Sequence, residues 1–346
     1  MPSSPWRTPA SHRDRSGARR IRLALVAAVS AAATIAAACG QPTGLTQRIS
    51  IATGGTGGVY YPYGGGIAKV ISDNLEGVEA TAEVTAGTVD NLKFIANRSA
   101  DLGFALADSL DDSFHGRGAF DEFGAVPARA IAVLYDNHNH LVTLTSTGVT
   151  SIADLAGRVV STGAPGSGTE ISAFRILEAA GLDPEQDIRR QSLGAVTSVD
   201  ALRDGKIDAF FWSGGIPTGS VLDLATTPGR TIRLVPNGGV LETLQTRYGA
   251  LVYHGSHIPQ ATYPGMDGDV ATIAVSNVLV AHEAMDAELA RGITAALFAY
   301  HDELAAVHPM AGVLSLESAL VGSPVPFHDG AAAYYSERGV WDGAGQ

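Results

Sequence analysis

Two stretches of this chain repeat one plan: a short β-rich run, a glycine-rich turn bearing hydroxyls, and a helical pattern. Thr53-Gly54-Gly55-Thr56-Gly57-Gly58 follows the run Ile49–Ala52, and Thr162-Gly163-Ala164-Pro165-Gly166-Ser167-Gly168 follows Arg158–Ser161. Turns of this kind sit at the carboxyl ends of strands, which is where open α/β sheets hold ligands. The helix that follows offers unpaired N–H groups and a partial positive charge, suited to a carboxylate or another anion. One such turn alone only permits a tight strand–helix connection. The pair, facing across a cleft, would grip a small molecule from both sides.

The rest of the chain alternates in the same way, the mark of an α/β fold with mostly parallel strands. Further strands are expected over 78–85, 102–106, 130–135, 141–145, 188–193, 209–212, 231–235 and 271–280. Helices are expected from Val59 to Asn74, after Thr88 or Asp90, to Ala180 with Gly181 as its cap, and over 196–204 and 217–226. Leu289, Ile293, Leu297, Tyr300 and Leu304 place one apolar face on a single late helix ended by Pro309, and a short helix holds Tyr334 and Tyr335. Residues 108–127, with Asp111-Asp112, Gly116 and Gly118, read as loop.

Most chemistry-bearing motifs are missing. No phosphate-binding Gly-x₄-Gly-Lys-Ser/Thr occurs, and the first turn has the wrong spacing for a dinucleotide fingerprint. Pro165 breaks the Gly-x-Ser-x-Gly pattern around Ser167, so no nucleophile elbow is expected. His138-Asn139-His140 lacks an acidic or Cys partner nearby and reads as structural rather than metal-ligating. No metal, cofactor or catalytic constellation is expected; the alternative is a sensing or enzymatic role on the same scaffold.

Charge is uneven along the chain. Six of the 23 basic residues and one of the 35 acidic ones fall in the first 38, which leaves 17 against 34 beyond them. So acidic a body repels nucleic acid and anionic lipid. Residues 1–38 join a basic segment to an apolar run from Ile21 and end in small residues, the pattern of an export signal. Cys39 is the only cysteine, so no internal disulfide can form, and it stands where a lipoprotein is cleaved and acylated. Residues 39–47 read as a tether. The chain is therefore expected outside the cell membrane, anchored by lipid at Cys39.

Six blocks, in order, then resemble one family. Ala52-Thr-Gly-Gly-Thr-Gly-Gly-Val-Tyr-Tyr-Pro-Tyr-Gly64 resembles the opening of the TAXI solute receptors of TRAP transporters. Residues 85–92, 140–144, 163–170, 204–217 and 326–339 resemble later blocks of that family. The resemblance spans residues 48–340. It implies a two-lobed periplasmic-binding-protein fold, type II-like, with a central cleft. Lobe 1 would comprise 48–145 and 250–346, lobe 2 146–249, and the lobes would swing about crossings near 145 and 250. It also implies membrane subunits of a TRAP permease as partner, and a small organic acid or amino acid, glutamate-like, as solute. Matched by position, Thr56, Gly57, Gly58, Val59 and Tyr60 would form the first wall, with Thr88 and Asn91 from the next turn. Ser167, Gly168 and Thr169 would close from the other lobe beside Trp212, Ser213 and Gly214.

One departure stands out. Where the family usually has Gln-Ser-Asp, this chain has Asp108-Ser109-Leu110. A carboxylate at the cleft edge would favour a ligand with an ammonium over a pure diacid. The alternative is that Asp108 faces solvent or caps the following turn.

Overall fold

The computed structural model describes residues 1–2, 47–341 and 343. The expected export signal beyond residue 2, Cys39, and the expected tether up to residue 46 lie outside the described residues.

Ten strands of the described residues form one sheet: β1 (Gln47–Ala52), β2 (Val78–Glu83), β3 (Leu102–Leu106), β4 (Ala128–Leu144), β5 (Val159–Ser161), β6 (Arg189–Gln191), β7 (Ala209–Gly214), β8 (Ile232–Leu234), β9 (His254–Ile258) and β10 (Val270–His282). Their order is β2-β1-β3-β10-β4-β7-β5-β6, with β8 on β4 and β9 on β10. The outer pairs, β1 with β2 and β3, and β5 with β6 and β7, are parallel. The centre is antiparallel: β10 pairs with β3 and β4, and β4 with β7. The sheet is therefore mixed, with parallel strands confined to the two outer parts.

The ten helices of the described residues are α1 (Tyr60–Asn74), α2 (Thr88–Ala96), α3 (Ala107–His115), α4 (Gly168–Ala179), α5 (Ala195–Arg203), α6 (Gly219–Ala225), α7 (Leu241–Tyr248), α8 (Ala287–Ala299), α9 (His301–Val307) and α10 (Asp329–Glu337). The strands are buried on both faces, and because successive side chains point to opposite faces they feed three apolar cores among the described residues. One holds Ile51, Phe104, Leu134, Leu279, Ile293 and Tyr335. The others lie on opposite faces of β7 and β4: Phe211 and Leu141 enter one, Phe210 and Val142 the other. Each fully buried Phe or Leu adds about 1.5–3 kcal/mol of transfer free energy.

The two halves are joined inside the long strands. β4 pairs with β10 from Ala128 to His138, then with β7 from His138 to Thr143. β10 runs the other way, on β9 from Val270 to Ala274 and on β3 from Asn277 to Ala281. β4 thus changes partner at His138, and β10 between Ala274 and Asn277. Sequence pattern misses this because a strand buried throughout carries no mark where its neighbours change.

Other differences have local causes. Residues 107–115 form α3 rather than loop, because Leu106 and Leu110 are buried one turn apart and Gly116, at φ 62°, ends the helix in the left-handed region. The expected late helix breaks at Tyr300 into α8 and α9. The strands expected over 130–135 and 141–145 are one, since the buried polar run Asn137–His140 continues the ladder.

Candidate ligand-binding site

Four helices begin at the ends of parallel strands, and their first residues share a cavity of about 330 Å³. They are Tyr60 of α1, Thr88 of α2, Gly168 of α4 and Ala195 of α5. Helix geometry leaves the first N–H groups of each without a partner in the helix. No Asp, Glu, Lys, Arg or His lines the cavity among the described residues. Its polarity therefore comes from backbone, hydroxyls and one amide, and four helix ends turn partial positive charge toward it, offset in α2 and α4 by Asp90 and Glu170 of their first turns.

The first turn brings Thr56, Gly57, Gly58, Val59 and Tyr60 to the lining. Thr53 anchors it by donating from Oγ1 to the Glu83 carbonyl at 2.6 Å. Gly58 lies against the Trp212 ring, and a Cβ there would stand 2.8 Å from a ring carbon. The second turn supplies Ser167, Gly168 and Thr169. Ser167 caps α4, its Oγ accepting from the Glu170 N–H at 3.2 Å. Thr169 Oγ1 accepts from the Ser213 N–H at 3.2 Å, tying α4 to β7. A Cβ on Gly168 would fall 2.5 Å from Leu106 Cδ1.

These glycines let the halves touch. The Gly166 carbonyl accepts from the N–H groups of Val89 and Asp90 at 3.1 and 3.2 Å, and the Gly57 carbonyl accepts from the Ser220 N–H at 3.4 Å. The two glycine-rich turns thus open onto one cavity, 163–168 bonded to α2 and 54–58 to α6.

Trp212, Ser213 and Gly214 also reach the lining. A relay sets the indole: Trp212 Nε1–H donates to Thr218 Oγ1 at 2.9 Å, and the Thr218 N–H donates to Tyr263 Oη at 2.8 Å. Tyr263 Oη lies 2.9 Å from His140 Nε2, whose Nδ1 faces the His138 carbonyl at 2.8 Å. A carbonyl only accepts, so Nδ1 carries the proton and Nε2 accepts from the tyrosine. Burial pushes His140 down to about 4, which keeps it neutral in this relay. Among the described residues no group of three His, Cys, Asp or Glu side chains could hold a metal ion.

Residues 51–339 match the NMT1-like family. The chain belongs to that family. In chain course this NMT1-like protein is also similar to the periplasmic aliphatic sulphonate binding protein SsuA of Escherichia coli, at 13% identity over 86% of this chain and 80% of that one, TM-score 0.46. A protein of Bordetella bronchiseptica RB50 is similar at 22% identity over 86% and 91%, TM-score 0.49. An ancestral arginine-binding protein bound to arginine is similar at 12% over 77% and 98%, TM-score 0.46.

Two of the expected site residues do not line this cavity. Asn91 is fully buried behind the lining, donating to the carbonyls of Thr53 and Phe104 at 2.7 and 2.8 Å and accepting from Thr85 Oγ1 at 2.6 Å. It ties strand ends that carry the turns. Asp108 is buried on α3 and does not line the cavity. Its carboxylate accepts from the Ser109 N–H at 2.6 Å and from Ser172 Oγ and Tyr253 Oη, both at 2.9 Å. Hydroxyls of the other half consume it, so the basis for an ammonium partner at the cleft edge is gone.

Conversely, the lining includes Tyr135 and Asn137 of β4 and the start of α5, Gly194–Thr197. Gly194 before a hydroxyl-bearing helix is a third, weaker instance of the turn pattern and could have flagged α5. Nothing local distinguishes Tyr135 and Asn137 from other strand residues. Burial pushes the hydroxyls of Tyr60 and Tyr135 up, so both stay neutral.

Proposed function

We propose that this protein is an exported solute receptor that captures a small organic acid or amino acid between its halves and delivers it to a membrane permease. The observation that carries this reading is the convergence of four helix N-termini from both halves on one cavity free of ionised side chains. Such a cavity suits a carboxylate, and its roughly 330 Å³ holds about eleven water volumes of about 30 Å³ each, room for a small organic acid. Thr56 to Tyr60, Thr88, Ser167 to Thr169 and Trp212 to Gly214 are the proposed contacts. The ligand binds the closed form better than the open form, and only that difference drives closure.

The sequence resemblance to TAXI receptors supports a TRAP-type permease as partner, and Cys39 supports a lipid anchor outside the membrane. Affinity in the micromolar range asks for about 8 kcal/mol, which backbone N–H groups, hydroxyls and the Trp212 face can supply. The test is a thermal-shift screen against small acids and amino acids. A ligand at a hundredfold excess over Kd should add about 2.7 kcal/mol. A flat response across the screen overturns the reading. Uptake with the reconstituted permease should follow a sodium gradient; dependence on ATP instead would reject the TRAP assignment.

A further inference from the structure

We infer that the cavity selects a small monocarboxylate carrying a neutral hydroxyl over the matching α-amino acid, and that Asn137 reads the difference. This rests on the receptor reading above and narrows its ligand class.

Tyr135, Asn137 and Ser213 line the sheet side of the cavity, and all three are at most 5% exposed. Tyr135 Oη, Asn137 Oδ1 and Ser213 Oγ have no partner within the protein. Unpaired buried polar atoms are costly, and at a cavity wall they point to a ligand that satisfies them. The Asn137 amide has one sense only. Its Nδ2 donates to the Ser213 carbonyl at 3.1 Å, and the reverse orientation would set oxygen against oxygen. Oδ1 is therefore a fixed acceptor waiting for a donor.

A ligand hydroxyl fits this wall. It can donate to Asn137 Oδ1 and accept from Tyr135 Oη or Ser213 Oγ while remaining neutral. An ammonium can also donate, but it would enter a cavity whose lining has no carboxylate and onto which four helix N-termini open, those of α1 and α5 with no acid in their first turn. The nearby acids do not line the wall: Asp108 is taken by Ser172 and Tyr253, Asp112 by Arg175, Glu170 accepts from the Gly166 N–H, and Asp90 lies outside the lining. The indole face of Trp212 gives an ammonium only a weak attraction in place of a counter-ion. A second carboxylate would set its lone pairs against Oδ1. The carboxylate that remains lies at the helix ends, and the carbon chain lies against Trp212, whose N–H is already spent on Thr218.

The test is calorimetric titration of the purified protein with two matched sets: lactate, alanine and propionate; then 2-hydroxyisovalerate, valine and isovalerate. Glutarate probes a second carboxylate. In the set that fits, the hydroxy acid should bind about tenfold or more tighter than its amino and unsubstituted counterparts, as expected where a site is built to bond a hydroxyl. Asn137→Asp places a carboxylate at that wall and should move the ratio at least tenfold toward the amino acid; Asn137→Ala should erase the preference for hydroxy acid over plain acid. An amino acid binding as tightly as its hydroxy partner in the wild type overturns this inference alone, as does a wild-type ratio kept in both variants. If no carboxylate of any kind binds, the receptor reading falls and this inference with it. Should either variant fail to fold, the wild-type ratios decide.

Discussion

Arg175 of α4 forms an ion pair with Asp112 of α3, joining the two halves with side chains only 11% and 10% exposed. The guanidinium also donates to Tyr253 Oη at 3.1 Å and stacks 3.9 Å from the centre of the Tyr248 ring. Asp108 shares the same Tyr253 hydroxyl. Burial raises Asp112, and Arg175 opposes that rise. Arg175→Met would leave buried Asp112 with only the more exposed Arg117, 4.0 Å away. We expect a loss of about 3–5 kcal/mol in urea unfolding. A loss below about 1 kcal/mol would mean the pair behaves as a surface bridge.

Gly58 and Trp212 approach so closely that a side chain cannot enter between them. Gly58→Ala puts a methyl 2.8 Å from the ring, a clash that opening of the proposed cleft would relieve. Affinity for the solute should fall by about tenfold or more, or about 1.4 kcal/mol, with the melting temperature of the free protein little changed. Equal affinity in variant and wild type would show that the turn does not approach Trp212 in the bound form.

Stability should fall with acid through His140. Its folded value, about 4, lies below its ordinary 6.5, so between those values the unfolded chain binds more protons than the native one. The contribution is whole above pH 6.5, shrinks as pH falls toward 4, and is then constant. Integrated, the loss is about 3 kcal/mol. Carboxylates titrate in part of the same range, so the comparison is with His140→Gln, whose stability should lose that much less between pH 7.5 and 4. Parallel curves for the two proteins would contradict the assignment.

Ligand capture should be visible in Trp212. The chain has three tryptophans, Trp6, Trp212 and Trp341, and only Trp212 lines the cavity among the described residues. Emission should change on addition of a bound acid, and Trp212→Phe should abolish that change while weakening affinity about tenfold. A change that survives the substitution would move the ligand away from β7.

Much of the frame was legible along the chain. Alternating strand and helix patterns give the α/β class, and glycines with hydroxyls after two strands mark the turns that reach the cavity. These are local signals, because a turn at a strand end demands particular residues within a few positions. The centre of the sheet was not legible. β4 and β10 are buried along most of their length, so nothing in their hydrophobicity marks where they pass from one half to the other.

The site divides in the same way. Sequence by itself determined which backbone segments could offer N–H groups to a ligand, since glycine turns and helix starts are written locally. Only the tertiary structure decided which side chains face the cavity. It turned Asp108 toward Ser172 and Tyr253, set Asn91 behind the wall, and brought Asn137 and Tyr135 to the lining. Side-chain direction in a long buried strand depends on neighbours distant in the chain, and those neighbours exist only once the halves have come together.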